Sequence, residues 1–429
     1  MDKVDVIVVG GGLAGLSCAY ELADSGMTVI VLERGDFSGS KNVTGGRIYV
    51  RPIREYLPDL WKEAPLERHV TKEFITLMGE TNSTTLELYS DRFNRQPYPS
   101  YTILRAKFDR WLADVVSEKG IFVIPQKKVN DLIKDGEKII GIRTEDEEIA
   151  SDCVVASDGI LSFLAEKAGL RKPFHPKHFA LGFKEVIALD SKVIEDRFRL
   201  GENEGAAQLF VGSLTRGIMG GGFLYTNRDS LSLGIVVGIE SLSRREPREE
   251  IYKFLDEFKE RPEIKNLIRG GETVEYSAHL ISEGGLGVKP KVYGDGILVA
   301  GDAAGLSLNM LVTVRGMEYA MVSGVLAGKA IKAAKEKNDF SADSLAYYDQ
   351  LLSGSFIKRE MTAFRNSLLV LENERLFSKY PQAISNLFER VMWIDEKPKE
   401  GLYKTLLEGL KKEFINFQSF KDWLQFRKI

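Results

Sequence analysis

Cysteine is almost absent from this chain: Cys18 and Cys153 are the only two among 429 residues. Two distant thiols cannot supply the four thiolates that a [4Fe–4S] cluster normally takes, and both positions read as small apolar residues inside structure. Histidine is nearly as scarce, with His69, His175, His178 and His279 making up the four. His175 and His178 flank Pro176 without an acidic or thiol cluster beside them, which is an incomplete metal site. Long apolar runs are missing. No stretch approaches the ~18–20 residues that cross a bilayer, and Met1 leads directly into a strand pattern, so neither a span nor a secretory signal is expected. Basic excess is lacking too: the formal net charge is −3, and no basic helix or aromatic-basic patch offers a nucleic-acid surface. Ser38, Ser40 and Ser157 do not sit in a G-x-S-x-G elbow, which removes the case for nucleophilic hydrolysis. What remains is a globular composition, 44% hydrophobic and 28% charged, on a chain long enough for two or three lobes.

The chain opens with the apolar strand Val4–Val9, which runs straight into Gly10-Gly11-Gly12-Leu13-Ala14-Gly15 and a helical pattern. Each glycine of this G-x-G-x-x-G has a physical task. Gly10 permits the sharp turn, Gly12 lets a pyrophosphate approach the backbone, and Gly15 lets the helix pack closely on the sheet. The helix N-terminus adds free N–H groups for the phosphates. A second strand, Thr28–Leu32, ends at Glu33, whose carboxylate suits a ribose diol and repels a 2′-phosphate. The pattern predicts a bound dinucleotide that is not NADP.

FAD is expected over NAD because of two segments far downstream. Gly296–Ala300 is an apolar strand that ends in Gly301-Asp302-Ala303-Ala304-Gly305, with a helical stretch from Gly316 to Ala334 beyond it. A short acid at a strand end reaches a polyol such as the ribityl chain, and a helix N-terminus favours negative charge on a reduced flavin. Asp152–Gly159 repeats strand, acid and glycine, with Asp158 as the acid.

These three motifs resemble the glutathione-reductase-type FAD flavoproteins of the hydroxylase and geranylgeranyl reductase branch. Lys41–Arg47, Gly222–Asn227 and Thr313–Met317 are more similar still to the FixC / electron-transfer-flavoprotein:quinone oxidoreductase family, and the likeness covers essentially the whole chain. The resemblance implies an FAD-dependent oxidoreductase that takes electrons from a two-subunit electron-transfer flavoprotein and passes them to a quinone. It implies an NADH-linked electron-bifurcating complex with a separate ferredoxin-like iron–sulfur subunit, since the C-terminal region has no cysteine. The implied setting is cytoplasmic, with peripheral contact at the inner face of the cell membrane. By the same resemblance Gly10, Gly12, Leu13, Ala14 and Gly15 meet the pyrophosphate, while Glu33 and Arg34 hold the adenosine. Arg105 lies near the phosphates, Val129 at the adenine, and Gly45 and Gly46 by the ring. Asp158, Gly301 and Asp302 complete the cofactor set, with Asp302 on the ribityl chain and Arg315, Gly316 and Met317 under the ring.

The expected architecture is α/β: a glutathione-reductase-type Rossmann FAD-binding domain with an inserted antiparallel-sheet substrate domain (an α+β lobe) and a helical C-terminal region. Residues 1–80, 104–175 and 291–335 form the FAD domain, with 35–60 a Gly/Ser-rich loop and turn that contains Gly45 and Gly46. Residues 81–103 and 176–290 form the substrate lobe, and 336–429 the helical tail. Phe223 and Tyr225, together with Leu308, Met310 and Leu311, are candidate walls of a quinone slot; ordinary core is the competing reading. In the tail, Phe417, Phe420, Trp423, Leu424 and Phe426 form one apolar helix face for lipid, a partner subunit or the chain's own core. Rival activities on the same cofactor are prenyl-lipid reduction by a geranylgeranyl reductase and aromatic-ring monooxygenation. A rival of another class is a subunit that keeps FAD as structural glue.

Overall fold

The first strand, β1 (Asp2–Val9), is apolar on both sides because it lies at the centre of a sheet covered on both faces. In the computed structural model, which describes residues 2–41, 45–172, 175–245, 250–283 and 291–427, Val6, Ile7 and Val8 have no exposed surface. β1 pairs in parallel with Glu148–Ala156 on one side and with β2 (Val29–Leu32) on the other. The parallel set is extended by Ile297–Val299 beyond the former and Phe122–Ile124 beyond the latter. A helix, α1 (Leu13–Leu22), returns the chain from β1 to β2. The strand β3 (Gly45–Tyr49) pairs antiparallel with Ser100–Leu104, and α2 (Arg105–Glu118) follows that strand directly. Gly45 and Gly46 thus open a strand, opposite Leu104 and Ile103, where the composition of 35–60 predicts a loop. Asn42, Val43 and Thr44 of the Lys41–Arg47 segment lie outside the described residues.

The chain divides into two compact units, the first comprising Met1–Glu67, Pro99–His178 and Ile281–Arg365. Its core joins the parallel sheet to α1, α2 and the long helix Met317–Glu336. The helices Tyr347–Gly354 and Phe356–Ala363 also belong here, because Tyr348, Leu352 and Ile357 pack into that core. The helical tail of the second unit accordingly starts at Asn366 rather than at 336.

The second unit comprises Arg68–Tyr98, Phe179–Leu280 and Asn366–Ile429. Its strands run in the order Glu272–Ser282, Phe179–Ala188, Ser230–Gly238, Gly220–Thr226, Glu204–Gly212, His69–Met78 and Ser83–Tyr89. Phe179–Ala188 with Ser230–Gly238, Ser230–Gly238 with Gly220–Thr226, Gly220–Thr226 with Glu204–Gly212, and His69–Met78 with Ser83–Tyr89 are antiparallel pairs, whereas Glu204–Gly212 runs parallel to His69–Met78. Those pairings draw His69–Met78 into this sheet, so the division falls at 67/68 where the sequence pattern suggests 80/81. On one face, Leu231, Leu233, Ile235 and Val237 pack with Phe254, Leu255 and Phe258 of a covering helix. Ser232 on the opposite face is also buried, and its hydroxyl is satisfied by the Asn227 amide at 3.0 Å.

Candidate functional site

The glycine motif does in three dimensions what its spacing requires. Gly10 sits at φ +109°, and a Cβ there would lie 2.2 Å from the Ser157 carbonyl oxygen, so the turn out of β1 is pressed against the end of Glu148–Ala156. A Cβ on Gly15 would lie 2.0 Å from the Gly10 carbonyl oxygen, which excludes any other residue there. At Gly12 the opposite holds: a Cβ would meet nothing within 4 Å, which leaves open space over the start of α1. No side chain caps that helix, and Leu16 N–H to Gly12 C=O is the bond that begins its ladder. The N–H groups of Leu13, Ala14 and Gly15 precede that bond, which is the usual arrangement for receiving a phosphate.

Glu33 closes the next corner. Its Oε2 accepts the Gly11 N–H at 2.8 Å and its Oε1 the Gly35 N–H at 2.6 Å. Each oxygen keeps a second lone pair for a sugar hydroxyl. Arg34 is exposed beside it, and the segment before half-buried Val129 is tied to the same turn by Gln126 N–H to Gly35 and Lys127 N–H to Glu33.

The third corner joins distant parts of the chain. Gly301, at φ +66°, donates its N–H to Ser323 Oγ at 2.9 Å, and a Cβ there would lie 2.7 Å from the Ala14 methyl. The Gly301–Ala304 turn is thereby seated between α1 and Met317–Glu336. Asp302 is exposed, and its Oδ1 lies 4.0 Å from where Gly316 would carry a Cβ. Arg105 is fixed by Asp109 through two bonds of 2.7 Å. Burial works against the Arg105 charge, but Asp109, with a further contribution from Asp302, raises its pKa above the usual arginine range. Met317 approaches Gly46, its Cε 3.5 Å from the Cβ position. Gly10, Gly12, Gly15, Gly46, Arg105, Gly301, Asp302, Gly316 and Met317 therefore border one continuous region of the first unit.

Two expected cofactor residues are differently engaged. Asp158 Oδ2 accepts the Leu164 N–H at 3.2 Å and its Oδ1 faces the Ser162 hydroxyl at 3.4 Å, so this carboxylate caps its own turn. Arg315, expected under the ring, is buried in an ion-pair cluster with Glu318 and Glu360. The i,i+3 spacing of Arg315 and Glu318 is a readable signal for half of that cluster; nothing in the sequence connects either residue to Glu360.

The candidate quinone residues fall in both units. In the second, Phe223 and Tyr225 stack with centroids 5.3 Å apart, on the sheet face opposite Gly222 and its neighbour Phe258. Phe223 packs against Gly234, where a Cβ would be 2.3 Å from its ring. In the first unit, Leu308 is fully buried and part of the core. Met310 packs half-buried against the same core, and Leu311, at φ +72°, forms the tip of a tight hairpin with its N–H on Asn309 Oδ1 at 2.9 Å.

Cys18 and Cys153 are both free and buried, and burial pushes both thiols up, far from reactivity. Among the described residues no His, Cys, Asp or Glu group is arranged to hold a metal, and no helix is long and apolar enough to cross a membrane. In the second unit the helix Phe417–Phe426 is anchored by buried Asp422, which accepts from Arg375 at 2.7 Å and from Tyr380. Its aromatic side faces outward: Phe417 is 74% and Trp423 52% exposed.

An uncapped helix start over open space, an acid at the second strand and a glycine–acid turn at a late strand together fit FAD. The fold agrees. A geranylgeranyl bacteriochlorophyll reductase-like protein from Thermoplasma acidophilum superposes with a TM-score of 0.73 at 21% identity, covering 98% of this chain and 99% of that one. The myxobacterial chondrochloren halogenase, a variant of FAD-dependent halogenases, gives 0.65 at 20% identity over 86% and 82% of the two chains. Residues 5–94 match the family described as FAD dependent oxidoreductase. The molecule is an FAD-dependent oxidoreductase.

Two further matches narrow the class: residues 179–281 to "ETF-QO, ubiquinone-binding" and residues 368–429 to "ETF-QO/FixC family C-terminal domain". The chain is 41% identical to the probable electron transfer flavoprotein-quinone oxidoreductase YdiS of Escherichia coli (strain K12), over 96% of its own length and 95% of the relative's. It is 40% identical to protein FixC of the same strain, over 97% and 96% of the two chains, and 37% identical to FixC of Azotobacter vinelandii, over 98% and 99%. This chain belongs to the FixC/ETF-QO family.

Proposed function

We propose that this chain is the quinone-reducing subunit of an NADH-linked electron-bifurcating assembly, taking electrons from a two-subunit electron-transfer flavoprotein and delivering them in pairs to a membrane quinone. The observation that carries the reading is the presence, on one chain, of a dinucleotide cradle and a region that matches a ubiquinone-binding family. Bound FAD supplies the one- and two-electron chemistry. The chain's own groups bind and orient it. The N–H groups of Leu13, Ala14 and Gly15 hold the pyrophosphate, Glu33 the ribose, and Asp302 the ribityl chain. Gly46, Gly316 and Met317 border the ring. Phe223 and Tyr225 offer a flat apolar surface to the quinone. With both thiols buried, the iron–sulfur centre of the assembly is assigned to a separate ferredoxin-like subunit. The exposed aromatic side of Phe417–Phe426 is the surface we assign to contact with that subunit or with the inner face of the membrane.

Anaerobic affinity purification of the chain from its own cells tests the assembly. Co-purification of two electron-transfer-flavoprotein subunits and a small ferredoxin-like protein is expected. Recovery of the FAD-loaded chain alone, active on prenyl double bonds, would replace this reading with prenyl-lipid reduction.

A further inference from the structure

One buried cluster of charge has no part in the reading above. Arg315 and Glu318 are 8% and 1% exposed, where a hairpin gives way to the helix Met317–Glu336. Arg315 Nε donates to Glu318, its Nη1 donates to Glu360 Oε2 at 2.6 Å, and the Tyr319 hydroxyl donates to that same Glu360 oxygen. Rings of Tyr49, Tyr319 and Phe356 surround the guanidinium, with centroids at 5.4, 5.1 and 5.7 Å. Among the described residues its Nη2 is buried without a partner.

One cation therefore faces two carboxylates, and the inner one, Glu318, keeps only a trace of exposed surface. A guanidinium is satisfied electrostatically by one carboxylate, so the second is surplus negative charge in a dry place. Burial pushes the Glu318 carboxyl up and Arg315 draws it down, with burial the larger effect. The groups that face it from neighbouring elements do not reverse this balance. Tyr319 is pushed up by burial and by Glu360 and stays neutral, and Tyr49 is held by Thr313 at 2.7 Å, with the Arg47 guanidinium over its ring at 4.6 Å from the centroid. Asp302 Oδ1 lies 4.0 Å from the Cβ position of Gly316, and its charge acts on Arg105. Glu360 is 31% exposed and keeps its own bond to Arg315, so it can serve as counterion alone.

We propose that Glu318 binds one proton when the flavin gains two electrons, while Glu360 keeps Arg315 paired. This rests on the assignment of the flavin ring to Gly46, Gly316 and Met317. The ring takes two electrons from the donor flavoprotein and one proton from water, which leaves one added negative charge; Glu318 takes a second proton from water and cancels it. When a quinone withdraws the two electrons, both protons are released, the number a quinol needs.

The test is spectroelectrochemical titration of the FAD-loaded chain between about pH 6 and 9, the range that brackets neutral titration. In the parent, the midpoint potential is expected to fall with pH at one proton per electron. In Glu318→Gln the slope is expected to halve, because only the proton of the flavin remains. Glu360→Gln, at a half-exposed position, is expected to halve it as well, since Arg315 then requires Glu318 ionised; it keeps the test decisive where Glu318→Gln does not fold. A parent slope already at half, or a full slope in Glu318→Gln (in Glu360→Gln where Glu318→Gln does not fold), would overturn the proposal. The visible spectrum separates the two ways of failing. An altered FAD spectrum in Glu318→Gln with a full slope removes the proton role alone, whereas an unaltered spectrum with a full slope removes the placement of the ring too.

Discussion

The Cβ that Gly324 lacks would lie 2.0 Å from the carbonyl oxygen of Ala14. The helix Met317–Glu336 thus rests backbone to backbone on α1, the helix whose first turn we propose receives the pyrophosphate. Gly324→Ala forces the two helices apart, and overpacking of this kind costs about 1–3 kcal/mol. The expected outcome is a lower melting temperature and a reduced FAD-to-protein ratio after gel filtration. An unchanged ratio would separate helix packing from cofactor binding.

Glu33 holds two backbone N–H groups, of Gly11 and Gly35, in addition to the ribose role proposed for it. Glu33→Ala leaves both donors without their acceptor, at roughly 1–3 kcal/mol each where they are shielded from water. FAD affinity, measured by quenching of its fluorescence on rebinding to apoprotein, is expected to fall at least tenfold. Glu33→Gln, which keeps one acceptor oxygen, is expected to recover part of that loss.

Arg315→Gln strands two carboxylates around a neutral amide. Breaking a buried pair by removing one partner costs about 3–5 kcal/mol. Chemical denaturation should show a loss in that range, and Arg315→Lys should not restore stability fully, because a single ammonium cannot reproduce the forked contacts to Glu318 and Glu360.

The docking of the last helix depends on acid. Burial opposes the Asp422 charge, yet hydrogen bonds from Tyr380, Arg375 and Gln418 hold its pKa below the usual value of 3.8. A carboxyl depressed in the folded state contributes its stability fully above the unfolded pKa and loses it as pH falls through the folded one. Hydrogen exchange in Phe417–Phe426 should accelerate as pH falls below about 4, after correction for intrinsic rates. Asp422→Asn should show that acceleration already at neutral pH.

Phe223→Ala removes the stacking partner of Tyr225, an interaction worth about 0.5–1.5 kcal/mol beyond area. The KM for a short-chain quinone is expected to rise severalfold, with reduction of a small water-soluble dye retained. Equal loss with both acceptors would place the pair in packing instead.

Much of the FAD-binding unit was legible because its determinants are local. Gly10, Gly12 and Gly15 are demanded by a turn, an approach and a contact that all fall within six residues of one another. Glu33 follows from the strand that precedes it, and the pairing of an early strand with late ones follows from apolar runs buried on both faces. The charge cluster was not legible, because Arg315 and Glu360 are joined only when the helix Phe356–Ala363 folds back beside Met317–Glu336. The same holds for Leu308, whose apolar character suits a slot and a core equally; that it packs in the core of the first unit is visible only in the fold. In the tail, the spacing of Phe417, Phe420, Trp423 and Leu424 marked one apolar helix face, but which face is docked was decided by Arg375 and Tyr380 meeting Asp422. Periodicity and glycine spacing thus determined the elements and the cofactor cradle, since both act through the nearest turns of chain. Tertiary structure alone decided which charges are buried together and which aromatics are left outside, since those depend on segments that only folding makes neighbours.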